Sequence, residues 1–97
     1  MNMQAMMRQA QQMQRDMLKI KEEIDKTEFE GESSLVTVKM NGKKEVLEVK
    51  IKTDELEKDD VEILQDMIVV AMNQAMKKID DVTEKKMSKF GNIPGLF

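Results

Sequence analysis

The chain has 97 residues, 36% charged and 40% apolar, with no Cys, His, Trp or Tyr and a net charge of −3. At this length a single domain is the default, and two long helices would leave little chain to cover them, so self-association is expected. Without Cys or His there is no disulfide framework, no thiol nucleophile, no ready general base and no ready metal ligand, and no apolar run approaches the roughly 20 residues of a membrane span.

The first residues carry no compact apolar block followed by a small-residue cleavage site, which points to a reducing cytoplasm. Charge is strongly segregated. Residues 1–21 hold Arg8, Arg15, Lys19 and Lys21 against Asp16, net +3. Residues 54–66 hold seven acids against Lys58, net −6, and residues 77–89 hold five lysines against three acids, net +2. Both ends are basic and the middle is acidic, and the placement of charge governs binding more than its total.

Residues 2–26 read as a helix. Met3, Met6, Ala10, Met13, Met17, Ile20 and Ile24 recur at alternating steps of 3 and 4, a heptad seam that needs a partner helix along much of its length. Thr27–Glu32 breaks the heptad, and Phe29 between acids suits a short edge strand. Leu35–Met40 alternates, with Val36, Val38 and Met40 on one face. Asn41-Gly42 predicts a two-residue type I′ turn, which sets Val36 opposite Leu47, with Val49 and Ile51 extending the apolar face of the returning strand Lys43–Lys52. Asp59 is the expected N-cap of a second helix, with Glu62 as its capping-box partner. That helix runs from about Asp60 to Lys89. Ile68–Met72 is apolar all round and reads as core, so the helix is expected to begin buried and end exposed. Residues 1–89 form one α+β domain in this reading, and residues 90–97, with Gly91, Pro94 and Gly95, form a flexible tail.

Nothing in the chain assembles chemistry. Ser33, Ser34 and Ser88 have no His to activate them, and the four glycines are too scattered for a phosphate loop. Asp59, Asp60 and Glu62 match no metal-ligand spacing and are explained by helix capping and the helix dipole. The chain therefore reads as a non-enzyme without metal or cofactor. Five of its eleven methionines fall in the first thirteen residues. Their heptad spacing favours a helix–helix seam over an adaptable groove for client peptides. Arg8 and Arg15, seven apart, lie on the face opposite that seam, and Lys19 extends the row. On the second helix Lys78, Lys85 and Lys89 fall within an arc of ~40°. Such rows are commonly solvated helix faces. A phosphate-binding reading gains weight from their place at two ends that an up-and-back fold brings to the same side.

The series Gln9-Ala10-Gln11-Gln12-Met13-Gln14, Gly31-Glu32, Val36-Thr37-Val38, Asn41-Gly42, Glu45-Val46 and Val49-Lys50-Ile51 resembles the YbaB/EbfC family of bacterial nucleoid-associated proteins. So does the pattern Asp60, Leu64, Asp66, Ile68, Ala71, Asn73, Ala75 and the ending Pro94-Gly95-Leu96-Phe97. No single motif is specific, but the order and spacing hold over nearly the whole chain. The Gly- and Phe-rich leader that many members carry before the first helix is not in this sequence.

The resemblance implies an α-β-β-β-α protomer with a three-stranded antiparallel sheet, a tweezer-like homodimer, and binding of double-stranded DNA through the helical arms. It also implies a place in the cytoplasm, at the nucleoid, with effects on nucleoid organisation, DNA conformation and gene expression. Carried over by position, the arm residues are Arg8, Arg15, Lys19, Lys21, Lys77, Lys78, Lys85, Lys86 and Lys89. Val61, Leu64, Ile68, Ala71, Met72 and Ala75 form the expected dimer interface. Phosphate contacts dominate this reading, so sequence preference is expected to be weak and binding salt-dependent, with no membrane and no small-molecule substrate as partner. The rival reading is a prefoldin-like holdase or coiled-coil interaction module that grips unfolded chains between Met-rich tips.

Overall fold

The computed structural model describes residues 2–91. Helix α1 spans Met3–Lys26, strands β1 Glu28–Ser33, β2 Val36–Asn41 and β3 Val46–Ile51 follow, and helix α2 spans Asp60–Met87, closed by a 3-10 turn at Ser88–Phe90. This is the expected α-β-β-β-α order. Asn2 starts α1 by accepting, through its side-chain oxygen, the amides of Gln4 and Ala5. Thr27 ends it: its hydroxyl donates to the Glu23 carbonyl at 2.7 Å, and its own extended backbone leads into β1.

The strands form an antiparallel meander in the order β1-β2-β3. Val36, Val38 and Met40 on β2 point inward and are buried, as their alternation predicts. Phe29 and Gly31 on β1 share that face, Phe29 opposite Met40 and Gly31 opposite Val38. Helix α2 crosses this face with Ala71 and Ala75 against Gly31, where a Cβ would stand 2.8 Å from the Ala75 nitrogen. Two α2 side chains also serve the outer edge of β1. The Gln74 amide oxygen accepts the Glu32 N–H, and the Lys78 ammonium donates to the Glu30 carbonyl, each at 2.7 Å. An edge so covered no longer offers a template for strand pairing.

The hairpin differs from the expected one. Gly42 does not adopt positive φ; Lys44 does, at 67°. Asn41 pairs with Glu45 across a three-residue loop, and the Lys44 N–H donates to the Asn41 carbonyl at 2.9 Å. The Asn41 side-chain oxygen accepts the amides of Lys43 and Glu45. A turn followed by one left-handed residue is the usual three-residue hairpin. Gly42 is required for a different reason: its backbone lies against the end of α1, where a Cβ would come within 2.5 Å of the Ile24 carbonyl carbon. The longer loop shifts the register. Val36 opposes Ile51 and Val38 opposes Val49, not Val36 Leu47, and an irregularity beside Met40 leaves Leu47 out of the pairing. A two-residue turn does occur, at Ser34-Leu35 between the paired Ser33 and Val36, with Ser34 at φ 47°.

Two expectations for α2 are also corrected. Asp59 makes no capping hydrogen bond; Asp60 instead accepts the Glu57 N–H at 2.9 Å. The helix begins exposed and becomes buried toward its end, the reverse of the prediction. Val61, Ile63, Val69 and Val70 are each at least half exposed, whereas Ala71, Ala75, Ile79 and Met87 are buried. The sheet and α1 cover the second half on its inner side, and before Ala71 the helix packs on the core through Leu64, Met67 and Ile68. Residues apolar all round show that a helix needs cover, not which chain supplies it. Of the expected tail 90–97, residues 92–97 lie outside the described residues.

Candidate nucleic-acid interface

The α1 seam is engaged only at its end. Ile24 is buried, Met17 and Ile20 are partly buried, and Met3, Met6 and Met13 are exposed. Ile24 and Lys21 line one cleft with Ile79, Thr83 and Met87, so the end of α2 runs back along the last turns of α1. The N-terminal part of α1 and the C-terminal end of α2 are thus on the same side, as an up-and-back fold requires. From Met17 to Met3, α1 continues for about 21 Å at the helical rise of ~1.5 Å per residue. The chain measures 71 × 19 × 15 Å, an elongated body with a projecting arm.

The structure divides the nine predicted cations into two groups. Arg8, Arg15, Lys19, Lys77, Lys85 and Lys86 are exposed and take part in none of the ion pairs among the described residues. The other three are partly occupied. Lys21 pairs with Asp25 at 3.2 Å, Lys78 donates to Glu30, and the Lys89 ammonium sits 5.1 Å from the Phe90 ring centre. Lys78 therefore ties α2 to the sheet. We expect Lys78→Ala to cost about 1 kcal/mol of stability by freeing the Glu30 carbonyl. It is expected to change DNA affinity less than Lys77→Ala does, as urea unfolding and gel shifts of the two variants will read.

One cation escaped the sequence reading. The hairpin tip brings Lys44 to the cleft that Lys21 lines, where Asp80 holds it at 2.9 Å. The only sequence signal was a Lys-Lys pair after Asn-Gly, and the turn geometry decides where it points. The expected interface residues also divide. Ala71 and Ala75 have no exposed surface and are spent within the protomer, whereas Val61 is open and Leu64, Ile68 and Met72 are partly so. Sequence reasoning did not single out β3 as an open surface. All six of its residues are exposed, including Val46, Leu47, Val49 and Ile51.

The acidic block occupies the β3–α2 connection and the first turns of α2. From Asp60 to Lys85 the helix rises about 38 Å. That is several times the Debye length of ~10 Å at moderate salt, so the acids screen little of the field at the basic end. Among the described residues no group of three acids is placed to hold a metal ion, and no helix is long and apolar enough to cross a membrane.

A nucleoid-associated protein of Clostridium novyi is 45% identical to this chain over 102 residues, covering all of this chain and 90% of its own length. One from Ligilactobacillus salivarius is 43% identical over 99 residues, covering 99% of this chain and 95% of its own. One from Chloroflexus aurantiacus is 43% identical over 100 residues, with both chains fully covered. The YbaB/EbfC DNA-binding family, which is not a family of enzymes, matches residues 1–93. With that match over nearly its whole length, and with the predicted order of helix, meander and helix, the chain belongs to the YbaB/EbfC DNA-binding family.

Proposed function

We propose that this protein is a nucleoid-associated DNA-binding protein that grips duplex DNA as a homodimer, with little preference for sequence. One observation carries the reading: six exposed cations that take part in none of the ion pairs among the described residues lie on α1 and on the second half of α2, away from the acidic block. Arg8, Arg15 and Lys19 on α1, with Lys77, Lys85 and Lys86 on α2, contact phosphates and release counterions. Lys21, Lys78 and Lys89 add charge beside them. Phosphate contacts set position without reading bases, hence the weak sequence preference.

Homodimerisation is supported by the apolar surface one chain leaves open. Val61, Leu64, Ile68 and Met72 on α2, with Val49 and Ile51 at the edge of the sheet, need cover of their own kind. A second copy pairing there sends both arms outward as a tweezer that straddles the duplex. Coating and bending DNA in this way acts on nucleoid organisation and gene expression from within the cytoplasm, and the names of the relatives support that setting.

A salt titration tests the reading. With six cations from each protomer, about twelve phosphate contacts in the homodimer, affinity for unrelated duplexes is expected to fall roughly 10⁶-fold between ~50 and ~200 mM salt. An affinity that stays constant over that range, or one that depends on a particular sequence, overturns it.

A further inference from the structure

Residues 2–15 of α1 carry only two charges, Arg8 and Arg15, both on the face opposite the seam. The seam itself and its flanks are Met3, Met6, Ala10 and Met13 bordered by Asn2, Met7, Gln9 and Gln14. Among the described residues nothing covers Met3, Met6 or Met13, though the same seam about three turns further on is already a helix–helix interface, with Ile24 buried beside Ile79. The periodicity is that of a coiled coil, and uncharged flanks present no repulsion to an identical helix.

We propose that the free half of α1 pairs, antiparallel, with the free half of α1 from a chain of another dimer. The end of α2 occupies the seam at Ile24 and Lys21. A parallel partner would bring its own α2 to the same level and crowd it. An antiparallel partner brings free half to free half and sets the two bodies at opposite ends. In that overlap Ala10 stacks on the partner's Met13, Met6 on the partner's Met17, and Met3 on the partner's Ile20. Small against large fills the central layer, and Asp16 falls beside an uncharged Gln9. Both basic rows remain outward, on opposite sides of the helix pair. Resting on the DNA-binding reading, this arrangement presents Arg8 and Arg15 of the two copies to two separate duplexes, so paired arms bridge DNA. So short a seam pairs weakly in dilute solution and gains from the high local concentration of protein on DNA.

The absence of cysteine makes disulfide trapping a clean test. Ala10→Cys and Met13→Cys chains, mixed without DNA under mild oxidant, are expected to form the mixed disulfide at least about tenfold faster than Arg8→Cys mixed with Arg15→Cys, because only the first pair reaches bonding distance. The second pair sits at the same level of the overlap but on the outer faces. Equal rates overturn the proposal, and faster self-linking of Ala10→Cys overturns the antiparallel arrangement. A second measurement uses Met6→Gln/Met13→Gln, which keeps every cation. Capture of a free duplex by an immobilised one is expected to fall about tenfold, with single-duplex affinity held within about twofold. Unchanged capture overturns bridging through the seam. If the wild type binds no DNA at all, the functional reading fails, whereas the disulfide result stands or falls separately.

Discussion

Gly31→Ala is expected to destabilise the protein by about 3 kcal/mol, the upper end of the cost of overpacking a core. A methyl group at this buried position on β1 would collide with the Ala71 carbonyl and stand 2.8 Å from the Ala75 nitrogen. Both neighbours are helix backbone, so no rotamer change relieves them. Either α2 lifts from the sheet or β1 bows away from Val38, its partner on β2. Lifting α2 also strains the bonds from Gln74 and Lys78 to the edge of β1, since each is already at 2.7 Å. Urea unfolding at fixed protein concentration reads the effect as a midpoint lowered by about 1–3 M, given typical slopes of ~1–3 kcal/mol/M. Ala71→Gly is not expected to rescue it, because the clash is with the peptide group and not with the Ala71 methyl. A loss below ~0.5 kcal/mol, or full rescue by Ala71→Gly, contradicts the close backbone contact.

That contact marks where local sequence stops informing on the fold. The heptad of α1 and the alternation of Val36, Val38 and Met40 were legible, because helix and strand periodicities reflect burial within one element. The Asn41-Gly42 turn misled because two causes produce the same residue. A hairpin turn selects glycine for positive φ, and a close backbone approach selects it for want of a Cβ. At Gly42 the second cause operates, the left-handed residue is Lys44, and the register follows the longer loop. Only the position of the end of α1 decides between the causes, and that is a tertiary fact.

The candidate site was half legible for a related reason. Rows of cations could be read at helical spacing, but not which of them the fold consumes. Lys78 and Lys85 share a helix face in the sequence. In the structure both are exposed, but only Lys78 donates to the Glu30 carbonyl, while Lys85 takes part in none of the ion pairs among the described residues. Likewise the apolar first half of α2 looked like core, and it is open in the single chain. A sequence specifies that Val61 and Ile68 need burial without stating whether the same molecule or its copy provides it.

Charge reversal on the arm carries the largest expected effect on binding. Arg8→Glu/Arg15→Glu changes four positions in a homodimer, and each lost phosphate contact lowers the salt slope by about 0.9. A slope smaller by about 3.6, and an affinity lower by roughly two orders of magnitude at low salt, are the expected results. Stability is expected to change by less than about 0.5 kcal/mol, since both arginines are exposed and neither takes part in the ion pairs of the described residues. This separates a direct role in binding from damage to the fold, which Gly31→Ala would cause. Gel shifts across a salt series supply both numbers, and circular dichroism confirms that α1 persists. Wild-type slope and affinity in the double variant would remove Arg8 and Arg15 from the interface and leave Lys19 on α1 with Lys77, Lys85 and Lys86 on α2 as its cations. A lost affinity with an unchanged slope would mean that the arginines act through the duplex grooves or through arm geometry, and not by displacing counterions from phosphates.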